Sequence, residues 1–240
     1  MSGKDLTWYD FKSFPLGGGL WLTQGFRIVA QRFAFIFYKI GLTPNTVSFI
    51  SLIVTLGGLS ILVLQDDISF TVSFLSVLVL WFGYILDCVD GQLARVTKSG
   101  SKYGEWLDHT LDCFSNFMKH FAAGYLILKN VQDLPEYWLI AFIALIINIS
   151  FSGTYFFAWN MKTKIVGSNV VASEQASSSR KIVLMKLPLQ LTDTVLFLSV
   201  FLLSYDTMKF MWLYLFYGMI TALIYGMYLL VSGRSMMKLK

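Results

Sequence analysis

Asp87, Asp90, Arg95, Glu105, Asp108 and Asp112 are the positions whose residue types and spacing could do chemistry. They lie beside long apolar stretches, where an unpaired charge is costly. Asp87 and Asp90 are three residues apart, and Asp108 and Asp112 are four apart, so each pair shares one helix face. A short segment rich in glycine and small polar residues joins the pairs. Four converging carboxylates repel one another unless a cation holds them, and Arg95 alone cannot balance them. Carboxylate oxygens select Mg²⁺, Ca²⁺ or Mn²⁺ over softer metals. Four can hold one or two such ions, and two ions can clamp a diphosphate and stabilise a leaving phosphate. Gly91 and Ala94 remove bulk from the Asp87/Asp90 face, and Gly104 does so on the opposing helix, so a nucleotide can approach the backbone. Arg95 can grip a phosphate oxygen through its fork of donors. Glu105 lies one turn before His109 and can orient its imidazole. His109 or a carboxylate can then accept the proton of an attacking hydroxyl. The chemistry expected is that of a membrane-embedded metal enzyme acting on a phosphorylated substrate.

The rest of the chain must place these groups in a bilayer. Of its 240 residues 56% are hydrophobic and only 14% charged, against roughly 25% charged in a soluble domain. An all-α, polytopic membrane protein is expected, with no room for a separate soluble domain. Lys4, Asp5, Asp10 and Lys12 precede the first strongly apolar run, so no cleaved signal peptide is expected. Cys88 and Cys113 lie in or beside apolar segments and read as small apolar filler rather than a disulfide framework. The net charge of +5 does not point to nucleic acid. The basic residues flank apolar segments, as juxtamembrane charges do, and also suit an anionic substrate or lipid headgroups.

Residues 1–40 read as a cytoplasmic segment followed by an amphipathic helix near 20–39. Arg27, Gln31 and Arg32 break its apolar run, which suits a helix lying along the membrane interface. Thr43 and Pro44 mark the start of the next helix as N-cap and first-turn residue. Residues 41–240 then form the membrane domain. Six transmembrane helices are expected, near 45–64, 69–90, 104–128, 137–159, 187–204 and 210–231, each approaching the roughly 20 residues a crossing needs. The third is the most polar, as a helix facing a cavity would be. The fifth is the weakest, because Pro188, Gln190 and Asp193 occupy its start. Residues 172–180 read as a flexible loop. Lysine and arginine concentrate in 91–103, 160–186 and 232–240, which places both termini and the acidic cluster on the cytoplasmic side. A phosphorylated acceptor would need further cations near the cluster. Lys119, Arg180, Lys181 and Lys186 are the candidates, Lys119 lying seven residues beyond Asp112 on about the same face.

The string from 87 to 112 resembles the signature of the CDP-alcohol phosphotransferase family: D-x₂-D-G-x₂-A-R, eight residues, then G-x₃-D-x₃-D. Asp87, Asp90, Gly91, Ala94, Arg95, Gly104, Asp108 and Asp112 fill every fixed position. Leu42-Thr43-Pro44-Asn45 before the first span is similar to family members too. The resemblance implies that the four aspartates bind two divalent ions, Mg²⁺ or Mn²⁺, and that Gly91, Ala94, Arg95 and Gly104 contact the CDP moiety. It implies attack of an acceptor hydroxyl on the β-phosphorus, loss of CMP, Asp112 as base, and a homodimer. Two subclasses compete. One moves a phosphatidyl group from CDP-diacylglycerol to a small polar alcohol or its phosphate, and the chain's size favours it. The other moves phosphocholine or phosphoethanolamine from a CDP-aminoalcohol to diacylglycerol, and Asp87-Cys88 with Glu105 and His109 resembles it locally. An ion-coupled transporter is the reading from another class. Transporters more often scatter their charges over several spans, often with inverted repeats.

Overall fold

The computed structural model describes residues 5–16, 21–131, 135–166 and 194–236, and these are α-helical throughout apart from short connections. In chain order the helices are α1 (Trp8–Ser13), α2 (Trp21–Lys39), α3 (Pro44–Val63), α4 (Phe70–Thr97), α5 (Lys102–Asn130), α6 (Pro135–Val166), α7 (Thr194–Val200) and α8 (Thr207–Met236). A 3₁₀ turn at Phe201–Leu203 links α7 to α8.

Local chemistry sets the boundaries near the acidic residues. Gly41 takes a φ of +78°, which turns the chain from α2 into α3. Thr43 caps α3 by accepting from the Thr46 amide, with Pro44 in the first turn, as the sequence indicated. Ser69 caps α4 and Ser101 caps α5 in the same way. Lys98 ends α4 in the left-handed region at φ 54°, and its amide closes on the carbonyls of Ala94 and Arg95.

Helices α3 and α4 pack closely because small residues line their seam. The Ser51 hydroxyl donates to the Gly83 carbonyl at 2.9 Å, and the Ser76 hydroxyl to the Gly58 carbonyl at 2.7 Å. Such pairs satisfy polar groups where no water is at hand. Two apolar cores flank the seam. One gathers Leu62, Leu80, Leu126, Ile127, Phe201, Phe210 and Tyr214 from α3, α4, α5, α8 and the 3₁₀ turn. The other gathers Phe11, Ala30, Ala34, Val47, Leu86, Val89 and Leu93, and fixes α1 and α2 against α4. Asp87 and Asp90 alternate along α4 with Leu86, Val89 and Leu93 of the second core.

Four described helices are long and apolar enough to cross a membrane: Pro44–Val63, Phe70–Thr97, Pro135–Ala158 and Thr207–Leu230. The chain is therefore a multi-pass membrane protein, but the expectation of six spans is corrected. The third expected span is a real helix, α5, yet Lys102, Glu105, Asp108, His109, Asp112, Lys119, His120 and Lys129 along it leave no sufficiently apolar window. Asp112, Lys119 and His120 face cavities between α3, α4, α6 and α8, whereas Lys102 and Glu105 are exposed. Of the fifth, only an apolar stretch at Thr194–Leu203 is described, too short to qualify, and residues 187–193 lie outside the described residues.

Helix α4 explains where the acidic residues sit. At 1.5 Å per residue, about 20 residues span a hydrocarbon core of about 30 Å. Counting from Phe70, that length is used up near Val89–Asp90, so the last turns of this 28-residue helix emerge at one membrane surface. The opposite end of the bundle carries Leu64–Ser69 and the 3₁₀ turn, joined by Ser73 and Ser204 hydroxyls 2.8 Å apart. Lys129 also pairs there with Asp66, at 2.9 Å.

Candidate active site

The end of α4 and the start of α5 converge at their carboxylates. Ligating oxygens of Asp87, Asp90 and Asp108 lie within 4.8 Å of one another, and Asp108, His109 and Asp112 offer a second such group. Asp108 belongs to both. Asp87 and Asp112 are close enough to share a hydrogen bond. Two like charges about 4 Å apart repel by about 4 kcal/mol at an effective dielectric constant near 20. The set is thus built for cations, and its all-oxygen core fits hard divalent ions.

Helix α3 braces the cluster. The Ser48 hydroxyl donates to Asp90 Oδ2 at 2.5 Å, while the other Asp90 oxygen accepts from the Gly91 amide. Asp90 is buried, so these bonds fix its orientation. Ser48 was not singled out from the sequence. The signal was there, in the polar stripe Asn45, Ser48, Ser51 and Thr55 at helical spacing down α3.

The carboxylates stand between two cavities. The first, of about 400 Å³, is lined by Asn45, Ser48, Asp90, Gly91, Ala94, Arg95, Ser99–Lys102, Gly104, Glu105 and Asp108. Gly91, Ala94, Arg95 and Gly104, the residues expected to meet a nucleotide, are thus brought together on one wall system. A side chain at Gly104 would meet Asn45 Oδ1 at 3.1 Å, and one at Gly91 would meet the Arg95 guanidinium at 3.1 Å. Both glycines therefore keep this cavity open. The second cavity, of about 220 Å³, lies on the other side and is lined by Asp87, Asp112, Ser115, Asn116, Lys119, Ser152, Tyr155, Tyr225 and neighbours. A narrow cleft with Ser48, Asp87, Asp108 and Asp112 on its walls lies between them.

The remaining expected residues fall in different places. Lys119 is in the second cavity. Glu105 borders the first, but His109 lines neither. His109 Nε2 lies 4.0 Å from Glu105 Oε1, too long for a hydrogen bond, and the imidazole ring meets Phe156 edge-on. Arg180, Lys181 and Lys186 lie outside the described residues. Sequence reasoning also missed the contribution of α2. The buried Gln92 side chain donates to the Arg27 carbonyl at 2.9 Å, and Arg27 is near enough to act on Asp87 and Arg95 electrostatically. Cys88 and Cys113 are free thiols.

A family model described as CDP-alcohol phosphatidyltransferase matches residues 41–224. Archaetidylinositol phosphate synthase of Pyrococcus horikoshii is 30% identical to the chain over 149 residues, which cover 61% of the chain and 68% of that protein.

Proposed function

The chain belongs to the CDP-alcohol phosphatidyltransferase family, and we propose on that premise that it transfers a phosphatidyl group from CDP-diacylglycerol to a small polar alcohol or its phosphate. The general reaction, transfer from a CDP-alcohol in lipid biosynthesis, comes with the family. The observation that carries the rest is the layout of the two cavities. Every residue of the signature lies on the first cavity or on the acidic partition, and a second, polar cavity opens beyond that partition.

In this reading the first cavity takes the CDP moiety. Gly91, Ala94 and Gly104 let it approach the helix backbones, and Arg95 binds a phosphate oxygen bidentately. Asp87, Asp90, Asp108 and Asp112 would hold two divalent ions, Mg²⁺ or Mn²⁺, which supply positive charge to the diphosphate. The acceptor enters the second cavity. Its hydroxyl oxygen forms the new bond to the β-phosphorus, the bond to the bridging oxygen breaks, and CMP departs. Asp112 takes the hydroxyl proton, the role that the family resemblance gives it, and like Asp87 it faces both the partition and the second cavity. His109 lines neither cavity, though it stands beside Asp108 and Asp112. The name of the Pyrococcus relative concerns an inositol phosphate lipid, which agrees with a small polar acceptor. The active site opens at the cytoplasmic surface by the charge bias of the connections, and the working unit is a homodimer by family resemblance.

The test is CMP release by purified protein with Mg²⁺ or Mn²⁺, offering CDP-diacylglycerol, CDP-choline and CDP-ethanolamine separately. Turnover with CDP-diacylglycerol is expected, and Asp112→Asn should abolish it while leaving the protein folded. Turnover confined to a CDP-aminoalcohol with diacylglycerol would replace this reading with the aminoalcohol one.

A further inference from the structure

His109 has no part in the transfer reaction as described above. It lines neither cavity, yet one of its ring nitrogens stands with carboxylate oxygens of Asp108 and Asp112 in a group whose members all lie within 4.8 Å of one another. The helix makes this possible. Asp112 is three residues beyond His109 and four beyond Asp108, so both lie one turn from it on α5. Two donors on one divalent ion, each about 2.0–2.2 Å from it, are at most about 4.4 Å apart. Closing by roughly half an ångström would therefore bring all three groups onto one ion.

Among the described residues no hydrogen bond holds the ring. Its ion-pair contact is Glu105 Oε1, 4.0 Å from Nε2, and the Phe156 ring meets it edge-on from α6. The side chain is 43% exposed, so it can turn without disturbing the core. The other group, Asp87, Asp90 and Asp108, is made of carboxylates alone, and Asp90 within it is buried and fixed by Ser48 and Gly91. The two groups share Asp108 but differ in donor chemistry. Oxygen-only sets suit Mg²⁺, Ca²⁺ and Mn²⁺, whereas an imidazole nitrogen favours transition metals and adds little for Mg²⁺. The charges nearby do not alter that contrast. Arg95 and Lys119 oppose any divalent ion here, and Asp87, Asp90 and Glu105 favour any divalent ion, whatever its identity.

Resting on the two-ion site of the transfer reading, we infer that the two metal positions are unequal, and that His109 is a ligand of the one built on Asp108 and Asp112. The position on Asp87, Asp90 and Asp108 takes Mg²⁺ or Mn²⁺ through oxygen alone. The position with His109 prefers Mn²⁺ to Mg²⁺ and binds Zn²⁺ more tightly than either, following the usual order for sites with a nitrogen donor. Metal-bound imidazoles commonly give their other ring N–H to a carboxylate, and Glu105 is the one within reach once the ring turns. His109 thus decides which ion sits beside the diphosphate, rather than taking the acceptor's proton.

The test is electron spin-echo spectroscopy of Mn²⁺ bound to the intact protein in detergent, free of any histidine tag. The chain has two histidines. The second, His120, is buried and bonded to Tyr214, and it stands about 12 Å beyond Asp112 along the helix axis. A coordinated histidine nitrogen can therefore come only from His109. A strong ¹⁴N coupling is expected, replaced by the ¹⁵N pattern in protein grown on ¹⁵N-histidine and lost in His109→Ala. Calorimetric titrations with Mn²⁺, Zn²⁺ and Mg²⁺ run alongside. Loss of an outer partner alone costs about 10- to 100-fold, so His109→Ala should weaken one Mn²⁺ site and one Zn²⁺ site by about tenfold or more, and Mg²⁺ by no more than about threefold. Should His109→Ala fail to fold, the labelled parent protein decides alone. Bound Mn²⁺ without a histidine coupling, or equal losses for Mg²⁺ and Mn²⁺ in His109→Ala, would overturn the ligand role while leaving phosphatidyl transfer standing. An intact protein that binds no divalent ion in these titrations would overturn the two-ion site and this inference with it.

Discussion

The smallest unit that decides activity here is the carboxylate held in a fixed orientation. Asp90 shows how this is done. Its two oxygens are occupied by Ser48 and by the Gly91 amide, so its remaining lone pairs point in set directions. Partners that orient a metal ligand are commonly worth about 10- to 100-fold in affinity. Ser48→Ala is therefore expected to weaken Mn²⁺ binding by about that factor, read by calorimetry on detergent-purified protein. Unchanged affinity would mean that Ser48 merely fills space between α3 and α4. In the proposed reading Arg95 acts on the donor rather than on the metal. Arg95→Ala should raise the KM for the CDP donor by about tenfold or more, the worth of a hydrogen bond to a charged group, with metal affinity little changed. An unaltered donor KM would remove Arg95 from the nucleotide site. His109 illustrates the limits of spacing. One helical turn from Glu105 suggested an oriented imidazole, but the side chains stop 4.0 Å apart.

At the scale of elements, the seam between α3 and α4 holds the first two aspartates in register. A side chain at Gly58 would come within 2.9 Å of Leu80 Cδ2 and 3.3 Å of the Leu80 backbone nitrogen. The backbone atom cannot swing aside, so the helices must part. Gly58→Val is expected to cost about 1–3 kcal/mol by overpacking, seen as a lower melting temperature in detergent. Gly58 lies far from the carboxylates, so protein that remains folded should keep its metal affinity. A variant that melts like the parent would show that the seam is looser than its contacts imply. Helix α5 shows the opposite strategy. It carries too many charges to pass as an apolar span, and it turns Asp112 and Lys119 toward the second cavity.

Across the whole molecule the two ends differ in job. The end with Pro44, the 98–101 connection and the start of α5 carries the acidic cluster and the first cavity, and the other end is closed by Ser73–Ser204 and Lys129–Asp66. The proposed topology, read from the charge bias of the connections, puts the first end in the cytoplasm. Single cysteines at Gly100 and Asp206, in a chain lacking Cys88 and Cys113, should therefore react with an impermeant maleimide from opposite faces of sealed vesicles, Gly100→Cys from the cytoplasmic face. Reaction of both from one face would reject the arrangement. Much of this protein was legible in the chain itself. The all-α class, the cap at Thr43, the helix over 21–39 and the acidic signature all follow from spacing and composition, because helical period and charge cost act locally. The number of apolar spans did not follow, since length alone made α5 look like one. The tertiary structure decided the rest: that Ser48 and Arg27 serve the cluster, that His109 stands outside both cavities, and that Lys119 faces the second one. Those facts depend on which helix faces meet, and contacts between residues distant in sequence leave no period to read.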